Sequence, residues 1–571
     1  MGKMKNDCNQ NKRLKVNHTL LYLLISWNVI FAQNNKENAV VGPYKPVRID
    51  HRTETSPVDS NNSVLEYSII PGAVKSHTYS LNVDGKDIFV EKFKDISYAR
   101  FAFSGKANLT ITARDNFGKY SISPLSYNIA SQKTGNKVSF SLDNPVKLIL
   151  QFEGIEEKLF IFADAPEVGA PKIGDSRVTS LMDFVTDNSG RTLQTRKIQK
   201  AIDEVSGKGG GVLFVPNGKY LTGTFVMKSN VTLYLESGAI IQGSGNLKDY
   251  NDMGANKSGM VTEGKGALIY FNKADNAHVT GQGVIAMAGT KIKTETGQKI
   301  RICNFIECNN SGISDVIIRD SGGFNIHILN SSNITMKGYK IINDLSLPNE
   351  DGTDPDGCNG VVVDNVFMYT SDDAIAVKAD SRLCQNILVK NCVFWTKKSA
   401  LKVGSDPYHG ARNIVFQNNN VVHADRALAL YSGCGGIENV KFIDNKSEFI
   451  GGDAKRQLIV FQVSNAKENN SEQNRRGIGF IKNVEVINYT AFQKSENKSI
   501  ISGTVSSKGI IHKVSNVLFK NMVIEGKHCF NAEDADMVLS PKKLPTDPNA
   551  RNSVPGEKTN CIMTIENIRF Q

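Results

Sequence analysis

A short phrase, Asn-apolar-x-apolar, returns along the second part of the chain. It reads Asn230-Val231-Thr232-Leu233, Asn333-Ile334-Thr335-Met336, Asn386-Ile387-Leu388-Val389, Asn413-Ile414-Val415-Phe416, Asn439-Val440-Lys441-Phe442, Asn483-Val484-Glu485-Val486 and Asn516-Val517-Leu518-Phe519. Asn386, Asn413 and Asn439 are spaced by 27 and 26 residues, and Gly360-Val361-Val362-Val363 fills the gap after Asn333. A fixed period of this size marks stacked units, each burying its apolar side against its neighbours. Each period has room for two or three short strands and shows no helical pattern. The expectation is a coil of three strands and three turns, repeated as a right-handed parallel β-helix over residues 175–571. The recurrent Asn is expected to form a side-chain amide ladder at one turn.

Ahead of the repeat the pattern differs. Stretches such as Thr78–Val83, Ala107–Ala113 and Val146–Phe152 alternate apolar and polar residues between turns like Asp84-Gly85. Short strands at such spacing predict an antiparallel β-sandwich, placed at residues 34–165. Ala165-Pro166-Glu167-Val168-Gly169-Ala170-Pro171 reads as a linker. One helix is predicted at 195–205, where Ile198, Ala201, Ile202 and Val205 form one stripe before a glycine stop. It is expected to cap the first coil. The fold class is therefore all-β.

The 571 residues carry a formal net charge of +11, and Lys3, Lys5, Lys12, Arg13 and Lys15 supply part of it. Those basic residues lead into an apolar run from Leu20 to Ala32. The run is too short to span a bilayer and has the plan of a secretory signal, so residues 1–33 are read as a signal peptide. A secreted or periplasmic protein follows, with no membrane attachment after signal removal. No basic run is interleaved with aromatic residues, which argues against nucleic acid as a partner. The nine cysteines include no CxxC pair and no His cluster, so a zinc site is not expected. Beyond Cys8 they read as buried small residues with one or two bridges at most. No cofactor is implied, and the oligomeric state is not legible.

The chemistry candidate is acidic. Asn349-Glu350-Asp351-Gly352-Thr353-Asp354-Pro355-Asp356 is followed, 21 residues after Asp351, by Asp372-Asp373. That spacing is nearly one coil, which puts Asp351 and the Asp pair on adjacent coils. Converging carboxylates raise one another's pKa, and a glycosidase uses this to keep one acid protonated beside an ionised base. The residues alone leave two alternatives open: Asp-Gly and Asp-Pro-Asp-Gly as plain turns, and a Ca²⁺ site from Asp351, Asp354 and Asp356.

The stretch Asn349-Glu350-Asp351-Gly352 with Ser371-Asp372-Asp373-Ala374-Ile375-Ala376-Val377-Lys378 resembles glycoside hydrolase family 28, the polygalacturonases. Gly209-Gly210-Gly211-Val212, Val215-Pro216-Asn217-Gly218 and Leu233-Tyr234-Leu235-Glu236-Ser237-Gly238 resemble the start of that family's repeat region. A sandwich ahead of a β-helix is similar to glycoside hydrolase family 49, the dextranases and isopullulanases. The resemblance implies Asp372 as general acid and Asp351 and Asp373 as the pair that holds and activates water, with inversion at the anomeric carbon. Asn349, Asp354, Lys378, Lys398, Lys402, Arg426 and Tyr431 are the candidate substrate-binding residues, and no metal is assigned.

The chain departs from the family in two places. Thr396-Lys397-Lys398-Ser399-Ala400 stands where the family has Gly-His-Gly. Leu428-Ala429-Leu430-Tyr431 stands where it has the Arg-Ile-Lys that grips a uronate carboxylate. Weak or no activity on plain polygalacturonate is therefore expected. The function expected is hydrolysis of an α-linked, pectin-like or related polysaccharide. Elimination by a lyase or dehydratase on a uronate-containing chain is one alternative, and non-catalytic glycan binding is another. Asp356 is expected to tolerate substitution as a turn residue.

Overall fold

The structure is a computed structural model describing residues 63–251, 266–405, 407–465, 477–540, 542–543, 561–562 and 564–571. The signal segment 1–33, the start of the sandwich region and most of the polar insertion 464–476 lie outside the described residues.

The sandwich has a seven-stranded sheet and a five-stranded sheet. In the strand Ala107–Ala113, Ala107, Leu109, Ile111 and Ala113 enter the core and the residues between them face outward. One pairing differs from the antiparallel expectation. The strands Ile96–Ser104 and Ile155–Asp164 run parallel, with Phe160 opposite Tyr98. The first is buried over nearly its whole length, and the second carries the unbroken buried apolar run Leu159–Ala163. A strand covered on both faces has no reason to alternate, and their second face lies against the β-helix.

Among the described residues the β-helix winds three sheets of 13, 12 and 11 strands, here called first, second and third, parallel except where Lys527–His528 closes the second by pairing antiparallel with Val523–Ile524. A representative coil runs through Asn359–Asp364, Phe367–Thr370 and Ile375–Val377, then begins again at Cys384–Lys390. Each coil thus holds three strands. Inside, Val361, Val363, Met368, Ile375 and Val377 belong to one continuous core. Like residues stack from coil to coil: the Phe271 and Phe305 rings lie 3.9 Å apart, and those of Phe416 and Phe442 5.0 Å.

The asparagine ladder is present. Side-chain amides link Asn386 to Asn359, Asn413 to Asn386, Asn439 to Asn413, Asn483 to Asn439, and Asn516 to Asn483. Asn386, Asn413, Asn439, Asn483 and Asn516 all have φ between 54° and 59°. Asn tolerates this left-handed backbone better than most residues. Where the phrase lacks its Asn, Gly360 takes a φ of 80°, a conformation that costs glycine nothing.

The helix Thr195–Gly207 buries Ile198, Ala201, Ile202 and Val205, the stripe read from sequence, against the strands that open the β-helix. It covers an end that would otherwise expose unpaired strands. A second helix, Gly289–Thr296, was not legible: only Gly289 and Ile292 are buried, so it has no apolar stripe. Cys303, Cys308, Cys358, Cys384, Cys392 and Cys529 are free thiols in the core. The bridges allowed for by the sequence do not form among these six.

The sandwich covers the second sheet. Phe160 and Phe162 each place their rings 5.0 Å from Phe367, within a cluster that includes Tyr98, Ile240, Ile317 and Tyr369. Polar pairs frame it: Arg319 to Glu91 at 2.7 Å and Lys340 to Asp164 at 2.8 Å. The acidic cluster lies on the third sheet.

Candidate active site

The motif residues sit in one kind of turn on successive coils. Asn349 to Asp351 precede the third-sheet strand Thr353–Asp356, and Asp372-Asp373 precede the next, Ile375–Val377, with Thr353 opposite Ile375. The turns are stitched together: the Gly352 N–H donates to the Asp373 carbonyl at 2.8 Å. A Cβ on Gly352 would stand 2.4 Å from the Ala374 carbonyl oxygen, so no larger residue fits between the coils. Asp351, Asp372 and Asp373 bring carboxylate oxygens within 4.8 Å of one another.

Their surroundings differ. Asp373 accepts from the Ser399 N–H at 2.9 Å and from Lys402 Nζ at 2.5 Å. Burial works against its charge, but Lys402 and Arg426 outweigh it and hold Asp373 down at about 2. Asp372 accepts from the backbone N–H groups of Asn349 at 3.2 Å and Asp373 at 2.9 Å. Burial and the neighbouring Asp373 charge raise it. Asp351 is raised well above the ordinary range by burial and then by Asp354, despite Lys378 Nζ at 3.5 Å. One carboxylate is thus kept ionised beside two that favour a proton.

The other candidates are placed as follows. Lys378 lies between Asp351 and Asp354, 3.0 Å from the latter. It stays charged because those carboxylates outweigh its burial. Asp354 is raised to about 6 by burial. Asn349 contributes its backbone, in left-handed conformation with φ 62°, to Asp372. Lys402 is the ion-pair partner of Asp373. Lys398 instead pairs with Asp453. Arg426, at the start of Arg426–Ser432, lies 3.2 Å from Asp425 and acts electrostatically on Asp373 and Tyr431. Leu428 and Leu430 of that strand point into the core. The strand therefore carries a cation, Arg426, two residues ahead of the stretch matched to Arg-Ile-Lys.

Two expectations change. Asp356 is buried; it accepts from the Asp380 N–H at 2.8 Å and lies 3.2 Å from His327 Nε2, so it is a structural carboxylate. Asp351, Asp354 and Asp356 do not bring their oxygens within reach of one ion. Among the described residues the group that does is Asp351, Asp372 and Asp373. Glu350, also of the motif, turns away from the trio to Ser371 at 3.5 Å, and burial pushes it up to about 9.

Sequence reading missed the residues on the coils just before. Register places Asn304 opposite His327 and His327 opposite Asp354 on the third sheet. Phe324 lies over both Arg301 and Lys378, with centroid distances of 5.6 and 4.7 Å. The available signal was a polar residue inside an apolar strand, as in Cys303-Asn304-Phe305 and Ile326-His327-Ile328.

Comparison with known proteins agrees with this geometry. The model for "Glycosyl hydrolases family 28" matches residues 210–539, more than half of the chain. The chain belongs to glycosyl hydrolase family 28. This family 28 chain is 25% identical over 283 residues to a probable polygalacturonase of Vitis vinifera, covering 45% of this chain and 57% of that one. It therefore spans little over half of that relative's length. It is 26% identical over 420 residues to an exo-poly-alpha-D-galacturonosidase of Dickeya chrysanthemi, covering 61% of this chain and 68% of that one. In fold it is similar to Dex49A from Penicillium minioluteum, with a TM-score of 0.56 at 13% identity over 83% of this chain and 96% of that one. It is also similar to an exopolygalacturonase from Thermotoga maritima, with a TM-score of 0.51 at 22% identity over 61% and 87%. Among the described residues no helix is long and apolar enough to cross a membrane.

Proposed function

We propose that this chain is a secreted glycoside hydrolase that cleaves an α-linked, uronate-containing polysaccharide of the pectic type. The observation that carries the reading is the trio Asp351, Asp372 and Asp373, one held ionised and two favouring protons, with carboxylate oxygens within 4.8 Å of one another. Asp372 carries the proton donated to the leaving oxygen. Asp373 is ionised by Lys402 and takes the proton of a water held between it and Asp351. The glycosidic bond breaks as the water oxygen adds to the anomeric carbon, and Asp372 leaves ionised while Asp373 leaves protonated. Arg426 supplies positive charge for a uronate carboxylate next to the cut. The relatives named as polygalacturonases support the substrate class, and the basic, apolar start of the chain supports secretion.

Inversion is the outcome the family resemblance implies. The closest carboxylate oxygens, within 4.8 Å, are nearer to the ~5–5.5 Å typical of retaining pairs than to the ~6.5–9.5 Å of inverting ones. We take inversion, which the family resemblance implies, as the reading to test. A panel of polysaccharides, assayed together for reducing ends and for unsaturated uronates, tests the reaction class. Reducing ends without unsaturated product are expected. Unsaturated product would mean elimination, and neither product would leave glycan binding alone. The anomeric configuration of the first product, followed by NMR, decides the stereochemistry.

A further inference from the structure

Natural proteins rarely leave buried polar atoms without hydrogen bonds, and a group of them in one place needs an explanation. Such a group lies on the third sheet beside the carboxylate trio, one and two coils before Asp354. Arg301 Nε and Nη2, Asn304 Oδ1, His327 Nδ1 and Asp354 Oδ1 are all buried and have no partner. Their residues are at most 4% exposed. The residues flanking Asn304 and His327, namely Cys303, Phe305, Ile326 and Ile328, are in the core. Asn304, His327 and Asp354 therefore share the outer face, in one register column.

The unused atoms differ in kind. Nε and Nη2 are the adjacent pair of a guanidinium that binds a carboxylate through two parallel bonds. His327 donates through Nε2 to the ionised Asp356, which fixes its tautomer and leaves Nδ1 as a bare acceptor. Burial keeps this imidazole neutral, with its pKa lowered to about 4. Asn304 Oδ1 is a second acceptor. Two parallel donors beside two acceptors match a sugar that carries one carboxylate and free hydroxyls.

We propose that Arg301, Asn304 and His327 form a further sugar subsite, which binds a uronate residue on the coils before the cleavage point, its carboxylate on Arg301 and its hydroxyls on His327 and Asn304. Phe324, half-buried over Arg301 and Lys378, is the ring that swings aside to admit the sugar. The proposal rests on the hydrolase reading only for the polymer's identity. It makes this site read charge on one side of the trio, while Arg426 reads it on the other.

The test separates binding from turnover. Full-length Asp372→Asn is titrated calorimetrically with trigalacturonate and with the carboxyl-reduced trisaccharide, and wild-type cleavage is assayed in parallel. Adding Arg301→Gln should weaken the acidic ligand by ~30-fold or more, the usual cost of losing one partner of a desolvated charge pair. It should leave the reduced ligand within about twofold. Equal weakening of both ligands would mean a structural role, and no weakening would mean no contact; either overturns the subsite. Absence of any acidic binding to Asp372→Asn alone also overturns it. If Arg301→Gln does not fold, Asn304→Ala replaces it. That variant keeps the guanidinium and should weaken both ligands about tenfold, and unchanged binding overturns the proposal. Binding without wild-type cleavage would sink the hydrolase reading and leave the subsite standing. Cleavage without the charge-selective loss would do the reverse.

Discussion

Lys402 Nζ stands 2.5 Å from Asp373 Oδ2, whereas Asp372, one residue earlier in the chain, receives backbone N–H groups. Lys402 drives Asp373 down to about 2, while burial and the charge of Asp373 push Asp372 upward against the pull of those N–H groups. The register explains why one lysine can be so selective. Lys402 lies opposite Ala376 on the coil after the Asp pair, and the small Ala376 leaves room for the ammonium to reach back.

This pairing predicts a pH effect. In the proposed mechanism Asp373 acts ionised and Asp372 protonated, so the rate should rise as Asp373 loses its proton and fall as Asp372 loses its own. Lys402→Met removes the largest influence that lowers Asp373. Its pKa should then rise by ~1–3 units, and the acid limb of kcat/KM should move to higher pH by the same amount. The alkaline limb should move up as well, because Lys402 also lowers Asp372. A full pH–rate profile of the variant checks this. An acid limb that stays in place or moves downward would remove Asp373 from the role of base.

The ladder predicts a stability effect far from the chemistry. Asn413 donates to Asn386 at 3.3 Å and accepts from Asn439 at 3.2 Å, at a φ of 56°. Asn413→Ala loses both bonds and must hold a left-handed backbone, for a combined loss of about 1–3 kcal/mol. Asn413→Gly loses the bonds but not the backbone fit, so it should be the milder of the two. Urea unfolding midpoints order the variants. The reverse order would mean that the backbone conformation plays no part.

The sandwich contact is apolar enough to be tested by one ring. Phe160 packs 5.0 Å from Phe367 and 5.1 Å from Tyr369 across the junction. Phe160→Ala should cost ~3–5 kcal/mol. It should also speed proteolysis within residues 165–175, because the sandwich loses its grip on the second sheet. Unchanged proteolysis would show that the polar pairs Arg319–Glu91 and Lys340–Asp164 suffice to hold the junction.

These features were unequally legible in the sequence. The ladder and the carboxylate trio could be read because coils near them keep a period of 26–27 residues, so 21 residues from Asp351 to Asp372 meant one coil. The coil carrying Arg301 and Asn304 is interrupted by the helix Gly289–Thr296, and its register with the coil of His327 was hidden. Lys378 and Lys402 were readable as cations near the site. That they serve Asp351, Asp354 and Asp373 depends on which strand residues face one another, which spacing alone does not give. The parallel pair in the sandwich was invisible because its partners lie more than 50 residues apart in sequence.

The trio itself gives the sharpest prediction. Asp372→Asn keeps the shape of the side chain and removes the proton that the proposed mechanism gives to the leaving oxygen. General acid catalysis is worth ~10²–10⁴-fold, and kcat should fall by about that factor. Asp373→Asn leaves Lys402 without its partner and the water without its base, and should be as damaging. Asp351→Asn removes the second grip on the water. It also leaves Lys378 to Asp354 alone, so some loss of stability should accompany the loss of rate. The three losses should not add, because the groups act on one transition state. Substrate affinity should persist in Asp372→Asn, since its contacts are to the backbone of Asn349 and Asp373 and these stay in place. Rates are measured on whichever polysaccharide the wild type cleaves, with calorimetry for binding. Near wild-type turnover in Asp372→Asn or Asp373→Asn would move the chemistry elsewhere on the third sheet.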